Sequence, residues 1–90
     1  MTIITNVFGI EFILDRSVTL DLESPTLRDV LVALQLHHEG PWRRIVKEDF
    51  SLQEGCVILV NGRNIASLEK LETKIRDGDE ITFTVQVAGG

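Results

Sequence analysis

The sequence predicts an α+β fold, a mixed four- to five-stranded sheet with one main helix across one face. Three observations support this. Apolar and polar residues alternate strictly in segments near both ends of the chain, as in half-buried strands. One internal stretch follows the period of an amphipathic helix. At 90 residues, 43% apolar and 26% charged, the chain can build one modest core and has no length for a second domain.

Met1 to Leu22 is rich in Ile, Val, Thr and Phe, with Gly9 and Asp15-Arg16-Ser17 as punctuation, and reads as an antiparallel hairpin. Val18, Leu20 and Leu22 fall on one face of its second strand. The period then changes, and Leu27, Val30, Leu31 and Leu34 form a helical stripe. Thr26 with Asp29 resembles a capping box in which Asp stands for the usual Glu or Gln. Ser24 followed by Pro25 is the alternative start. Gly40-Pro41 should stop the helix. Between residues 42 and 50, Trp42, Ile45, Val46 and Phe50 offer one short apolar face for a helical turn laid over the sheet edge.

Cys56 to Val60 is a continuous apolar run that ends at Asn61-Gly62, a buried strand followed by a tight turn, with Arg63 to Ile65 returning as a short strand. Leu68, Leu71 and Ile75 are expected to cover the open end of the core with a turn of helix. After Asp77-Gly78-Asp79, Glu80 to Val87 alternates Ile81, Phe83, Val85 and Val87 with Thr82, Thr84 and Gln86. Such a strand suits the middle of the sheet, beside the first.

Fourteen acidic residues against nine Lys and Arg give a formal charge of −5, the wrong sign for neutralising phosphates, so nucleic acid and anionic membrane are poor partners. The chain has a single cysteine, Cys56, which excludes an internal disulfide or a paired-cysteine metal knuckle. Cytoplasmic residence fits this cysteine usage, the absence of an export pattern in residues 1–14 and the absence of an apolar run approaching about 20 residues.

No metal site is expected. Asp77, Asp79 and Glu80 lack the later ligands of a calcium loop and read better as a solvated turn. His37 and His38 are neighbours that would point apart on a helix, and a helix C-terminus accounts for them. Cys56 reads as a small buried hydrophobe. Trp42-Arg43-Arg44, the one basic spot, reads as an amphipathic loop rather than a ligand contact.

The sequence closes with Val87-Ala88-Gly89-Gly90. A Gly-Gly pair at a given place arises by chance at about 0.5%, and glycines after a strand add ordering cost without packing. They do suit a narrow channel, because without Cβ atoms they can bring the Gly90 carboxylate against a partner's active site. A carboxylate is a poor electrophile, so acyl chemistry requires its activation, most simply as a mixed anhydride with AMP. This sequence has no phosphate-binding glycine loop, which assigns the activation to a partner.

Val60-Asn61-Gly62-Arg63-Asn64-Ile65, Leu68, Leu71, Asp77-Gly78-Asp79-Glu80-Ile81 and the closing Val87-Ala88-Gly89-Gly90 resemble the small sulfur-carrier proteins of the MoaD and ThiS type. Pro25-Thr26-Leu27-Arg28-Asp29 resembles their helix start. The resemblance implies a ubiquitin-like β-grasp domain over residues 1–87 and a Gly-Gly tail over 88–90. It implies that Gly90 is adenylated by a MoeB- or ThiF-like enzyme, with ATP used by that partner and no cofactor bound here, then converted to a thiocarboxylate. On this basis the chain is not itself an enzyme, and Val87, Ala88 and Gly89 form the partner-binding tail. Chain length and the VNGRNI stretch favour the MoaD side, in which a MoaE-like synthase subunit accepts the sulfur; a thiazole synthase-like acceptor is the ThiS-side equivalent. Many MoaD sequences have Phe-Pro-Pro before the final residues, where this chain has Thr84-Val85-Gln86. A ubiquitin-like modifier joined to lysines through Gly90 is the second expectation. Arg63, Phe83 and Val85 are the candidate docking surface, or else the face bearing Thr82, Thr84 and Gln86 with Arg63 nearby.

Overall fold

The chain opens with β1 (Thr2–Phe8), which pairs antiparallel with β2 (Ser17–Thr19), placing Ile3 opposite Val18. A computed structural model describes residues 1–9 and 16–85, so Ile10 to Asp15, between these strands, lie outside the described residues. Alternation does what the sequence requires of it. Ile3, Val18 and Leu20 are buried on one face, while the hydroxyls of Thr2 and Thr19 meet at 3.2 Å on the other. Leu22 packs against the core from its margin.

Helix α1 (Leu27–His37) starts at Thr26, so the capping-box reading holds and the Ser24 alternative does not. The Thr26 hydroxyl accepts from the Asp29 amide at 3.3 Å, and the Asp29 carboxylate accepts from the Thr26 amide at 2.9 Å. The Thr26 amide and then the Thr26 hydroxyl, both donating to the carboxylate, hold the Asp29 carboxyl below its ordinary range. Leu27, Val30, Leu31 and Leu34 are fully buried, each such aliphatic group contributing about 1.5–3 kcal/mol. At the other end the Trp42 indole donates to the His38 carbonyl at 2.7 Å, satisfying an acceptor that the stopped helix leaves open.

The loosely patterned stretch after Gly40-Pro41 is core-forming. A 3₁₀ turn at Trp42–Arg44 buries Trp42 edge-on against Phe83, ring centroids 6.0 Å apart, and Ile45 and Val46 are buried behind it. Trp42 is thus a core residue, and Phe50 packs on the core margin. β3 (Cys56–Val60) turns at Asn61 and Gly62, both with positive φ, into β4 (Arg63–Asn64). The expected return strand stops one residue early, because the Asn64 side chain accepts from the Ala66 amide at 2.9 Å and caps a 3₁₀ turn at Ile65–Ser67. With a second 3₁₀ turn at Lys70–Glu72, this segment brings Ile65 and Ile75 into the core and Leu68 and Leu71 against it.

β5 (Glu80–Val85) lies in the centre of the five-stranded sheet, whose order is β2-β1-β5-β3-β4. It runs parallel to β1 and antiparallel to β3. Ile81 and Phe83 point with Ile3 and Ile58 into the core beneath α1.

Candidate functional site

Parallel pairing puts the C-terminal ends of β1 and β5 side by side, Phe8 beside Thr84, and antiparallel pairing sets Cys56 opposite Val85. The described end of β5 therefore lies among Phe8, Gly9, Val57 and Cys56. The expected tail, Val87, Ala88, Gly89 and Gly90, lies outside the described residues, as does Gln86. Cys56 is buried here, and its thiol donates to the Arg44 carbonyl at 3.2 Å. Burial pushes its pKa up, which keeps it a protonated packing group.

The three residues expected to form a docking surface are not brought together. Phe83 is 0% exposed and wedged against Trp42, so it belongs to the core and is withdrawn from that role. Val85 lies on the same side of β5 as Phe83, at the core margin. Arg63 is exposed on the edge strand, paired with Val60. The alternation of β5 already carried this information, since a strand that sends Ile81 and Phe83 inward turns Thr82 and Thr84 to the opposite face. That opposite face presents Ile4, Asn6 and Phe8 from β1, Thr82 and Thr84 from β5, and Val57 and Leu59 from β3. Phe8 is its exposed apolar group, at 58%. Thr82 is buried in the middle, its hydroxyl accepting from the Asn6 side-chain amide at 3.4 Å, while the Asn6 side-chain oxygen accepts from the Arg16 guanidinium at 2.7 Å.

At the beginning of β5 the acidic turn serves structure. Asp79 accepts from the Arg76 amide at 2.8 Å and from the Asn61 side chain at 3.0 Å, while Asn61 in turn accepts from the Glu80 amide at 2.9 Å. Asp77 accepts from the Thr2 amide at 2.6 Å. Carboxylates engaged this way fix two turns and the start of β1. No group of three or more potential metal ligands exists among the described residues. Nor is any helix among them long and apolar enough to cross a membrane.

A five-stranded mixed sheet with its last strand central and parallel to the first, crossed by one helix, defines a ubiquitin-like protein of the β-grasp class. Within that class the chain belongs to the ThiS family, which matches residues 6–90. It is 37% identical over 71 residues to an Archaeoglobus fulgidus protein named "Putative sulfur carrier protein", covering 79% of this chain and 81% of that one. It is 32% identical over 68 residues to small archaeal modifier protein 3 of Haloferax volcanii, covering 76% and 73%. Among solved structures, a chain of the Amycolatopsis orientalis BexX/CysO complex superposes with a TM-score of 0.68 at 28% identity, over 93% of this chain and 99% of that one. The family is one of small sulfur carriers and ubiquitin-like modifiers.

Proposed function

We propose that this chain is a sulfur-carrier protein whose Gly90 carboxylate is activated and sulfurated by partner proteins for cofactor biosynthesis. The observation that supports it is the Gly89-Gly90 pair at the end of a family match that runs through the central strand. A carboxylate oxygen of Gly90 attacks the α-phosphorus of ATP on a MoeB- or ThiF-like enzyme, and pyrophosphate leaves. A sulfide-level sulfur nucleophile supplied by the partner then attacks the Gly90 carbonyl carbon, and AMP leaves with the C–O bonding pair. The resulting thiocarboxylate is a stronger nucleophile than the carboxylate it replaces; its sulfur attacks an electrophilic carbon of the acceptor with loss of that carbon's leaving group, and hydrolysis of the acyl C–S bond leaves the sulfur on the acceptor and returns the Gly90 carboxylate. This chain supplies the tail and a docking face, while the partner supplies positioning and charge stabilisation. A molybdopterin-type acceptor, MoaE-like, is favoured by the VNGRNI stretch, and a thiazole-type acceptor is the alternative.

A second reading, a protein modifier joined to target lysines through Gly90, is supported by the 32% identity to an archaeal modifier protein. Both readings share activation and part at the product. The test is the intact mass of the protein after incubation with an activating partner, ATP and sulfide. Replacement of one oxygen by sulfur, mapped to Gly90 and absent from the Gly90-deleted chain, supports the carrier. Lysine adducts without sulfur arrival establish the modifier, and an unchanged mass with every activating partner overturns both.

A further inference from the structure

Helix α1 buries one stripe, yet its outer face is apolar too. Leu27, Val30, Leu31 and Leu34 go inward, whereas Val32 and Leu36, one turn apart on the other side, are 38% and 75% exposed. They border a cleft of about 350 Å³ between α1 and the segment that enters it, with Leu22, Pro25 and Ala33 in its lining. Past His37 the groove continues into a depression of about 310 Å³ against Thr19, Leu20, Asp21 and Leu22. The charges around it have one sign. Glu23 and Asp29 line the cleft and Asp21 the depression, while among the described residues no Lys or Arg lines either. Two other clefts mix their signs, one with Arg28 and Lys70 beside Glu69 and Glu72, the other with Lys74 and Arg76 beside Glu23 and Asp77. Arg28, the neighbour of Asp29, turns away to Glu72 at 3.5 Å. Asp29 itself meets Thr26 through one oxygen, Oδ2, and those hydrogen bonds keep it ionised.

We infer that the outer groove of α1 is a docking site for a basic amphipathic helix of a partner protein. The apolar stripe of that helix would lie on Val32 and Leu36, and its Lys or Arg side chains would meet Asp21, Glu23 and Asp29. Charge complementarity selects this occupant. A second copy would bring the three carboxylates against their own kind, on chains that each carry −5, and an anionic membrane would be repelled in the same way. The surface is separate from the sheet face that presents Phe8, because α1 covers the opposite side of the sheet. Both can be occupied at once, and the groove works whether or not Gly90 carries sulfur.

The experiment titrates the full chain, labelled with nitrogen-15, with a synthetic peptide of about 18 residues, long enough to hold a helix. The peptide carries Leu along one stripe and Lys on its flanks. Amide shifts are expected at Leu22, Glu23, Val32, Ala33 and His37, with Phe8 and Thr84 unmoved. Shifts centred on the sheet face, or no binding at about millimolar peptide, overturn the inference. Val32→Gln combined with Leu36→Gln, at exposed positions where glutamine keeps the helix, should weaken binding about tenfold. Asp21→Asn with Glu23→Gln should weaken it about fivefold and flatten its salt dependence. If only the charge variants weaken binding, the peptide is drawn to an acidic chain without a groove, and the inference fails. Equal binding of a peptide with Glu in place of Lys, or of one whose Leu stripe is scrambled, overturns it as well. Sedimentation of the unmodified chain tests the other occupant. A monomer supports the inference, and a reversible dimer abolished by the Val32→Gln, Leu36→Gln pair assigns the face to a second copy and overturns it.

Discussion

Where β5 begins, Asp77, Asp79 and Asn61 tie two turns and the first strand together through side-chain hydrogen bonds of 2.6 to 3.0 Å. Where β5 finishes, the neighbours are the exposed Phe8, the bare backbone of Gly9 and the buried thiol of Cys56. One end is held by polar side chains that grip the backbone, the other by backbone packed directly on backbone. On the sulfur-carrier reading, the difference separates stability from activity within a single strand. Changes at the beginning should be read in unfolding experiments, and changes at the finish in the proposed sulfur transfer.

The largest expected effect is at the finish. Deleting Gly90 should abolish thiocarboxylate formation, because it removes the carboxylate on which the proposed activation takes place, while leaving the thermal midpoint nearly unchanged. A deleted chain that still acquires sulfur would break the comparison. At the beginning, Asp79→Ala removes the acceptor for the Arg76 amide and the Asn61 side chain and should cost about 1–3 kcal/mol in urea unfolding. Its midpoint should fall by about 4–8 °C per kcal/mol, with sulfur transfer per folded molecule preserved. Gly78→Ala, in the same turn, should cost about 1–2 kcal/mol from its positive φ alone.

The smallest expected effect sharpens the comparison at a third place, the start of α1. Asp29 has its pKa lowered in the folded protein, first by the Thr26 backbone hydrogen bond and then by the Thr26 side chain. A depressed carboxyl contributes stability above its unfolded value near 3.8 and loses that contribution as the pH falls through the folded pKa. Asp29→Asn should therefore flatten the acid limb of the stability profile below that value. An acid limb identical to that of the unmodified protein would show that the capping box does not report on protonation.

Local chemistry was legible in the sequence. Alternation located β5 and its central place, and Thr26 with Asp29 located the start of α1. The tight turn at Asn61-Gly62 followed from the conformational needs of those two residues. What escaped depends on partners distant along the chain. Asp79 appeared as a solvated turn residue because its Asn61 partner comes from a separate turn. Gly9 looked like simple punctuation, since the need for a missing Cβ arises only once β5 lies against β1. Phe83 shows the reverse: its alternation with Thr82 and Thr84, and the apolar face of Trp42, Ile45 and Val46 expected over the sheet, already point to a core position, and the structure sets it against Trp42.

The placement of β5 also orders events during synthesis. β1 and β2 form one hairpin and β3 and β4 another, and until β5 is made no strand joins them. Isolated two-stranded hairpins are marginal in water, so the nascent chain has no sheet to close before residue 85 is available. The strand that leads to the tail is thus also the one that completes the domain. A chain that ends before Glu80 lacks the strand that joins the two hairpins, so translation must pass the last strand before the sheet can form.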